Sequence, residues 1–161
     1  MYMSKGVEWA VHTLVNLAML GDDDPVGSAQ LAAAHGLPAA YLTKQLHLLV
    51  KAELLTSTPG PRGGFRLARD PDSITMLDVV LAIEGNESLF RCTGIKRCGK
   101  IAELQTGGGG SASCAVNRAM YRADLAWRDA LATQKLSDVR RELEMDDPAV
   151  TRAVRRAFGR E

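Results

Sequence analysis

The chain has 161 residues, 46% of them hydrophobic and 5% aromatic, with a formal net charge of +1. That size holds one domain, or a small domain plus an oligomerisation element, with an ordinary globular core of Leu, Val and Ala. No apolar run approaches the roughly 18 residues of a membrane span, no cleavable leader is visible, and no nucleophile–base pair, phosphate loop or paired-carboxylate constellation signals an enzyme.

Met3 to Met19 reads as a first helix, with Val7, Val11, Leu14, Val15 and Ala18 on one apolar face. Gly21, three aspartates and Pro25 stop it. Ser28 is a good cap for a short helix, Ala29 to His35, that ends at Gly36. Pro38 suits the first turn of a third helix running to Ala52, whose buried stripe is Leu42, Leu46, Leu49 and Val50. Two short helices joined by a tight His-Gly-Leu-Pro turn match a helix-turn-helix. Leu54 to Thr58 and Phe65 to Ala68 read as paired strands, and the turn Pro59 to Gly64 has glycines where positive φ is needed. A hairpin directly after the second helix of a helix-turn-helix is a wing. The expected fold class is therefore mainly α with a small β-hairpin wing: a winged helix-turn-helix plus a long dimerisation helix.

Net charge hides distribution. From Tyr41 to Arg69 there are five basic residues (Lys44, Lys51, Arg62, Arg66, Arg69) against one acid, Glu53. Such an excess is either a solvated face or the footprint of a phosphate backbone. The order helix, helix, helix, basic hairpin favours double-stranded DNA. Residues 38–51 are expected in the major groove, with Tyr41, Thr43, Lys44, Gln45 and His47 as candidates for base and phosphate contact. Arg62 at the wing tip and Arg66 on its return strand could reach phosphates or a minor groove.

Pro71 breaks the chain, and Ser73 to Glu84 reads as a helix burying Leu77, Val80, Leu81 and Ile83 before Gly85. Asn86 to Ser113, with its Gly107 to Gly110 run, has almost no periodicity, and loops of that length are usually functional. Ser113 would cap a long helix to about Gln134, along which Val116, Met120, Ala123, Trp127 and Ala130 step by four and three. That is the seam of a coiled coil. It could also pack within one subunit, but a reader of this size usually works as a two-fold pair on a palindromic site. Leu136 to Leu143 reads as a further short helix. Asp147 and Pro148 open a last one, with Val150, Val154 and Phe158 on one face and Arg152, Arg155, Arg156 and Arg160 on the other. The expected division is a DNA-binding domain over 1–85, a cofactor loop over 86–113, a dimerisation helix over 114–135 and a helical extension over 136–161.

Cys92, Cys98 and Cys114 are the only cysteines. An odd number without a secretion signal argues against a disulfide framework and for a reducing cytoplasm. The spacings, Cys-x5-Cys and Cys-x15-Cys, fit no zinc knuckle, which needs closely spaced pairs. An iron–sulfur cluster draws ligands from farther apart and suits them better. A fourth ligand must come from elsewhere. Glu8 and His12 are the candidates, four apart and so on one face of the first helix; the plainer reading is a local Glu–His pair on a solvated face. His35 and His47 read as structural groups or phosphate contacts.

Several stretches resemble the IscR, NsrR and RsrR family of iron–sulfur transcription regulators. They are Met3 to His12 (the opening helix), Tyr41 to Leu46 (the recognition helix), Leu54-Leu55, the wing Gly60 to Phe65, Ile74 to Gly85, and Cys114 with Ala115 to Met120 after it. The resemblance implies a cytoplasmic homodimer on a palindromic operator, with a cluster near the interface held by loop cysteines and by the other subunit's first helix. The Glu8/His12 pair is most similar to RsrR, which implies a [2Fe–2S] redox sensor with mixed Cys, Glu and His ligation. The loop departs from the family in the long gap between Cys98 and Cys114, and Cys92, Cys98 and Cys114 with Glu8 would equally fit a [4Fe–4S] cluster. Two other readings stay open. One is a winged-helix interaction or metal-handling module without specific DNA binding, and the other is a zinc- or thiol-based regulator.

Overall fold

A computed structural model describes residues 3–21, 24–95, 98 and 114–160. In chain order these form α1 (Lys5–Leu20), α2 (Ser28–Ala34), α3 (Ala39–Lys51), the strands β1 (Leu55–Thr58) and β2 (Gly64–Leu67), a 3-10 turn (Pro71–Ser73), α4 (Met76–Glu84), α5 (Ala115–Thr133), α6 (Leu136–Asp146) and α7 (Val150–Ala157). The chain divides into two compact units, one of residues 2–85 with 131–161, the other of residues 86–130. The expected cap Ser113 and the Gly107 to Gly110 run lie outside the described residues.

The first unit is built around α1. Its sequence predicts one apolar face, yet from Thr13 to Leu20 every residue is buried. The reason is that α3, α4, α6 and α7 all pack against it, so its second half is covered all round. The predicted stripe of α3 is in place, with Leu42, Leu46 and Leu49 fully buried and Val50 half-buried. Pro38 sits at the cap of α3, not inside its first turn, and its carbonyl accepts from Tyr41 and Leu42 N–H at 3.1 and 3.0 Å.

β1 and β2 pair antiparallel, Leu55 opposite Leu67 and Thr58 opposite Gly64. The hairpin is anchored near its turn by Val26, which exchanges two backbone hydrogen bonds of 2.9 Å with Phe65. Gly64 permits this approach: a Cβ there would lie 2.4 Å from the Val26 carbonyl.

α4 starts later than the sequence predicts. Pro71–Ser73 is a separate 3-10 turn capped by Asp70, and Thr75 and Asp78 form a reciprocal capping box that starts the helix at Met76. The core face becomes Met76, Val79 and Val80, while the expected Leu77, Leu81 and Ile83 are half-buried. Just before α4 the chain bonds to the start of α6, with Leu136 N–H to Ile74 carbonyl and Met76 N–H to Gln134 carbonyl, both 2.8 Å.

α1 has no basic residue in its last turn to meet its exposed carbonyl ends. Distant arginines meet them. Arg140 of α6 donates to the Ala18 carbonyl at 3.3 Å, and Arg155 of α7 donates to the Leu20 carbonyl at 2.9 Å.

In the second unit, Asp124 is the one buried residue of α5. Arg128 holds it at 3.3 Å and also donates to Asn86 Oδ1 at 2.6 Å and the Glu87 carbonyl at 3.1 Å. Of the expected seam, Val116 and Met120 are 61% and 41% exposed in the single chain, with Tyr121 and Leu125 also exposed beside them.

Candidate nucleic-acid interface and thiol segment

On α3, Lys44 and His47 are exposed, and His47 lies 6.0 Å from the Phe65 ring on the returning strand of the wing. Tyr41 is also exposed, its ring meeting Trp9 of α1 edge-on at 5.1 Å. Thr43 is half-buried and its hydroxyl donates to the Ala39 carbonyl at 2.8 Å, so it is partly committed to the helix. Gln45 requires a correction. It is only 5% exposed, with Oε1 lacking a hydrogen-bond partner among the described residues. Residue 45 is three on from Leu42 and four before Leu49, which puts it on the inward face. It packs against Gly6 of α1, where a Cβ would come within 3.0 Å of Gln45 Oε1. Gln45 is therefore a joint between α1 and α3, not a base-reading group.

The wing presents Arg62 exposed at its tip, beside a turn closed by Gly63 N–H to Gly60 carbonyl at 2.9 Å. Arg66 is exposed and its Nε donates to Thr56 Oγ1 across the hairpin at 3.2 Å. An open cleft lined by Gly27, Ser28, His47, Ser57, Pro59 and Phe65 runs between α2, α3 and the wing. Lys44, His47, Arg62 and Arg66 are thus all exposed, and Lys44, Arg62 and Arg66 carry the positive charge that phosphate contact requires; Arg66 faces the other side of the hairpin from Phe65, beside Thr56, Arg69 and Asp70.

Glu8 and His12 are exposed on α1. The His12 ring lies 5.5 Å from that of His35, which follows the end of α2. Asn16, buried, donates from Nδ2 to His35 Nε2 at 2.6 Å. Burial first, and the nearby His12 second, push the His35 imidazole below its ordinary 6.5. The neutral ring is the form that can accept from Asn16. Sequence reasoning missed this link, although Glu8, His12 and Asn16 follow one another at intervals of four, a polar row along one side of a mostly apolar helix.

Cys92 and Cys114 are half-buried and Cys98 is exposed; none forms a disulfide. The Cys98 N–H bonds to the Ile95 carbonyl at 3.0 Å. Reduced, accessible thiols are the donor type an iron–sulfur cluster takes, so the donor set fits. Among the described residues, however, no three His, Cys, Asp or Glu side chains gather closely enough to hold a metal within a single chain.

The Rrf2 family, described as an iron-dependent transcriptional regulator, matches residues 3–142. The chain belongs to the Rrf2 family. It is 30% identical over 139 residues to the HTH-type transcriptional regulator YwgB of Bacillus subtilis, covering 86% of this chain and 84% of that one. It is 34% identical to IscR of Sodalis glossinidius over 95 residues, 59% of this chain and 57% of the relative. A Lactococcus lactis regulator, YffB, is 39% identical, and the match spans 61% of its length. Among solved structures, CymR, the global cysteine regulator of B. subtilis, superposes with a TM-score of 0.66 at 21% identity, covering 88% of this chain and 98% of that one. IscR of T. potens gives 0.65 at 21% identity over 91% of both. The helices and two-stranded wing are therefore the winged-helix architecture of Rrf2 regulators, and the YwgB, YffB and IscR relatives are helix-turn-helix transcriptional regulators by name. No described helix is long and apolar enough to cross a membrane.

Proposed function

We propose that this Rrf2 chain is a homodimeric regulator of a palindromic operator whose DNA affinity follows an iron–sulfur cluster, [2Fe–2S] in preference to [4Fe–4S]. The observation that carries the proposal is one chain's combination of an exposed Glu8/His12 pair on α1 with three cysteines outside any disulfide between positions 92 and 114. Cys92 and Cys114 would hold the cluster together with Glu8 and His12 from a second copy, and Cys98 would join them in a [4Fe–4S] site. When bound, the cluster supplies a one-electron couple and a site open to nitric oxide. The protein's part is to pass on what happens at Glu8 and His12. α1 touches the recognition helix through Trp9–Tyr41 and through Gly6–Gln45, and the end of α2 through Asn16–His35. A small displacement of α1 thus moves both helices of the reader, and in a dimer it changes the spacing of two readers over half-sites about one helical turn apart. Lys44 and His47, with Tyr41 and Thr43, would read the major groove, and Arg62 and Arg66 would hold the backbone.

The test is anaerobic purification followed by absorption and Mössbauer spectra, with iron and sulfide counted per subunit. A [2Fe–2S] signature that Glu8→Ala and His12→Ala abolish is expected. Footprints of cluster-loaded and cluster-free protein should then differ; identical protection and affinity would sink the switch. The exposed Cys98 and the half-buried Cys92 support a second reading, a thiol regulator cycling through disulfides. A colourless protein whose DNA affinity tracks oxidant alone would put that reading first.

A further inference from the structure

Residues 143–161 lie beyond the part of the chain that the family matches. They are nonetheless fastened to the reader. Phe158, just after α7, is 5% exposed, and its carbonyl accepts from Gln30 Nε2 of α2 at 3.1 Å. Arg155 donates to the end of α1 at Leu20, and Arg160 donates to the Asp24 carbonyl at 2.5 Å. Asp24 is two residues before Val26, the anchor of the wing.

The four arginines of this segment divide into two roles. Arg155 and Arg160 turn inward to backbone carbonyls. The Arg152 and Arg156 side chains are exposed and make no hydrogen bond or ion pair with any described residue. They are four apart and so share one face of α7, about 6 Å apart along its axis. α7 contains no acid to offset them, and like charges at this spacing repel. An eight-residue helix is too short to stand alone, so its order comes from the reader it is bonded to. In helix-turn-helix docking the first helix crosses the phosphate backbone while the second enters the groove. α2 is that first helix, and α7 is bonded to it.

We infer that α7 is an accessory DNA-contacting element, its Arg152 and Arg156 guanidinium groups binding backbone phosphates that flank the bases read by α3. The inference rests on the DNA-reading assignment above. Guanidinium suits the role because its fork of donors matches phosphate oxygens. Contacts of this kind add affinity without sequence preference.

The experiment titrates the full chain and its Arg152→Gln/Arg156→Gln variant against an operator duplex and an unrelated duplex at stepped salt, with thermal melting in parallel. The variant should bind both duplexes more weakly by the same factor, roughly tenfold or more at low salt. Its slope of log affinity against log salt should fall by about 0.9 for each phosphate it no longer neutralises. Its melting temperature should not fall, because the two side chains bond to none of the described residues and their removal relieves a like-charge repulsion. An Arg152→Lys/Arg156→Lys variant should keep most of the slope. Equal affinity and slope in protein and Gln variant would overturn the inference while leaving the α3 assignment standing. A loss confined to the operator would overturn it too, since that is the signature of base reading, expected instead for Lys44→Ala. If the unsubstituted protein bound neither duplex in any cluster state, the DNA reading would fall and this inference with it.

Discussion

Glu53 adopts φ 57 between α3 and β1, where Leu54 N–H closes the helix on the Leu49 carbonyl at 2.9 Å. A left-handed backbone costs a residue with a Cβ roughly 1–2 kcal/mol, and glycine escapes this. Glu53→Gly is therefore expected to raise unfolding stability by about 1 kcal/mol, read from the urea midpoint at unchanged slope. A fall would mean that the carboxylate does something its exposed position does not show. The same substitution removes the single acid of the basic segment, so affinity for nonspecific DNA should rise slightly as well. Residue type and residue position gave different answers nearby. Lys44 and His47 were legible as surface groups because both pointers agreed. Gln45 was not, because its polar amide suggested contact while its place between Leu42 and Leu49 put it inside.

At the scale of elements, Arg128 carries the second unit. It meets the buried Asp124 one turn back and ties α5 to Asn86 and Glu87, where the cysteine segment begins. Arg128→Met leaves a buried carboxylate without its partner and two loop oxygens without a donor. A loss of about 1–3 kcal/mol in stability is expected, together with faster amide exchange at residues 86–90 in hydrogen-exchange mass spectrometry. Unchanged exchange there would show that the loop is held by something else. Elements fixed by local rules were readable in the sequence. The wing is one, since glycine is required at 63, where a Cβ would lie 2.0 Å from the Thr58 carbonyl, and α2 and α3 are others, although the expected cap Ser28 is the first residue of α2, Gly27 sits at the cap, and neither helix has a side-chain cap bond. The face of α4 was misread because the Pro71 turn takes the first residues of the expected helix and moves its start to Met76. The covered second half of α1 was illegible for a different reason: two of its four helical neighbours, α6 and α7, come from more than a hundred residues away.

For the whole molecule, the exposed Val116 and Met120 on α5 form, with Tyr121 and Leu125, an apolar face that a lone chain leaves in water. Val116→Glu/Met120→Glu is expected to turn a dimer into a monomer by sedimentation equilibrium. If Glu8 and His12 are supplied by a second copy, the same variant should also lose its iron. A dimer that survived both charges would place the interface elsewhere. The ligand set itself could be read only as a list of donors, because among the described residues of one chain no three His, Cys, Asp or Glu side chains gather closely enough to hold a metal.

The arginine partners of α1 have a consequence for synthesis. Leu20 and Asp24, which lead into the reader, receive their donors from Arg155 and Arg160, 135 and 136 residues later. On the ribosome the helix-turn-helix emerges long before those residues do. A nascent chain therefore carries an unfinished reader, and its last backbone contacts close only after position 160 has cleared the exit tunnel.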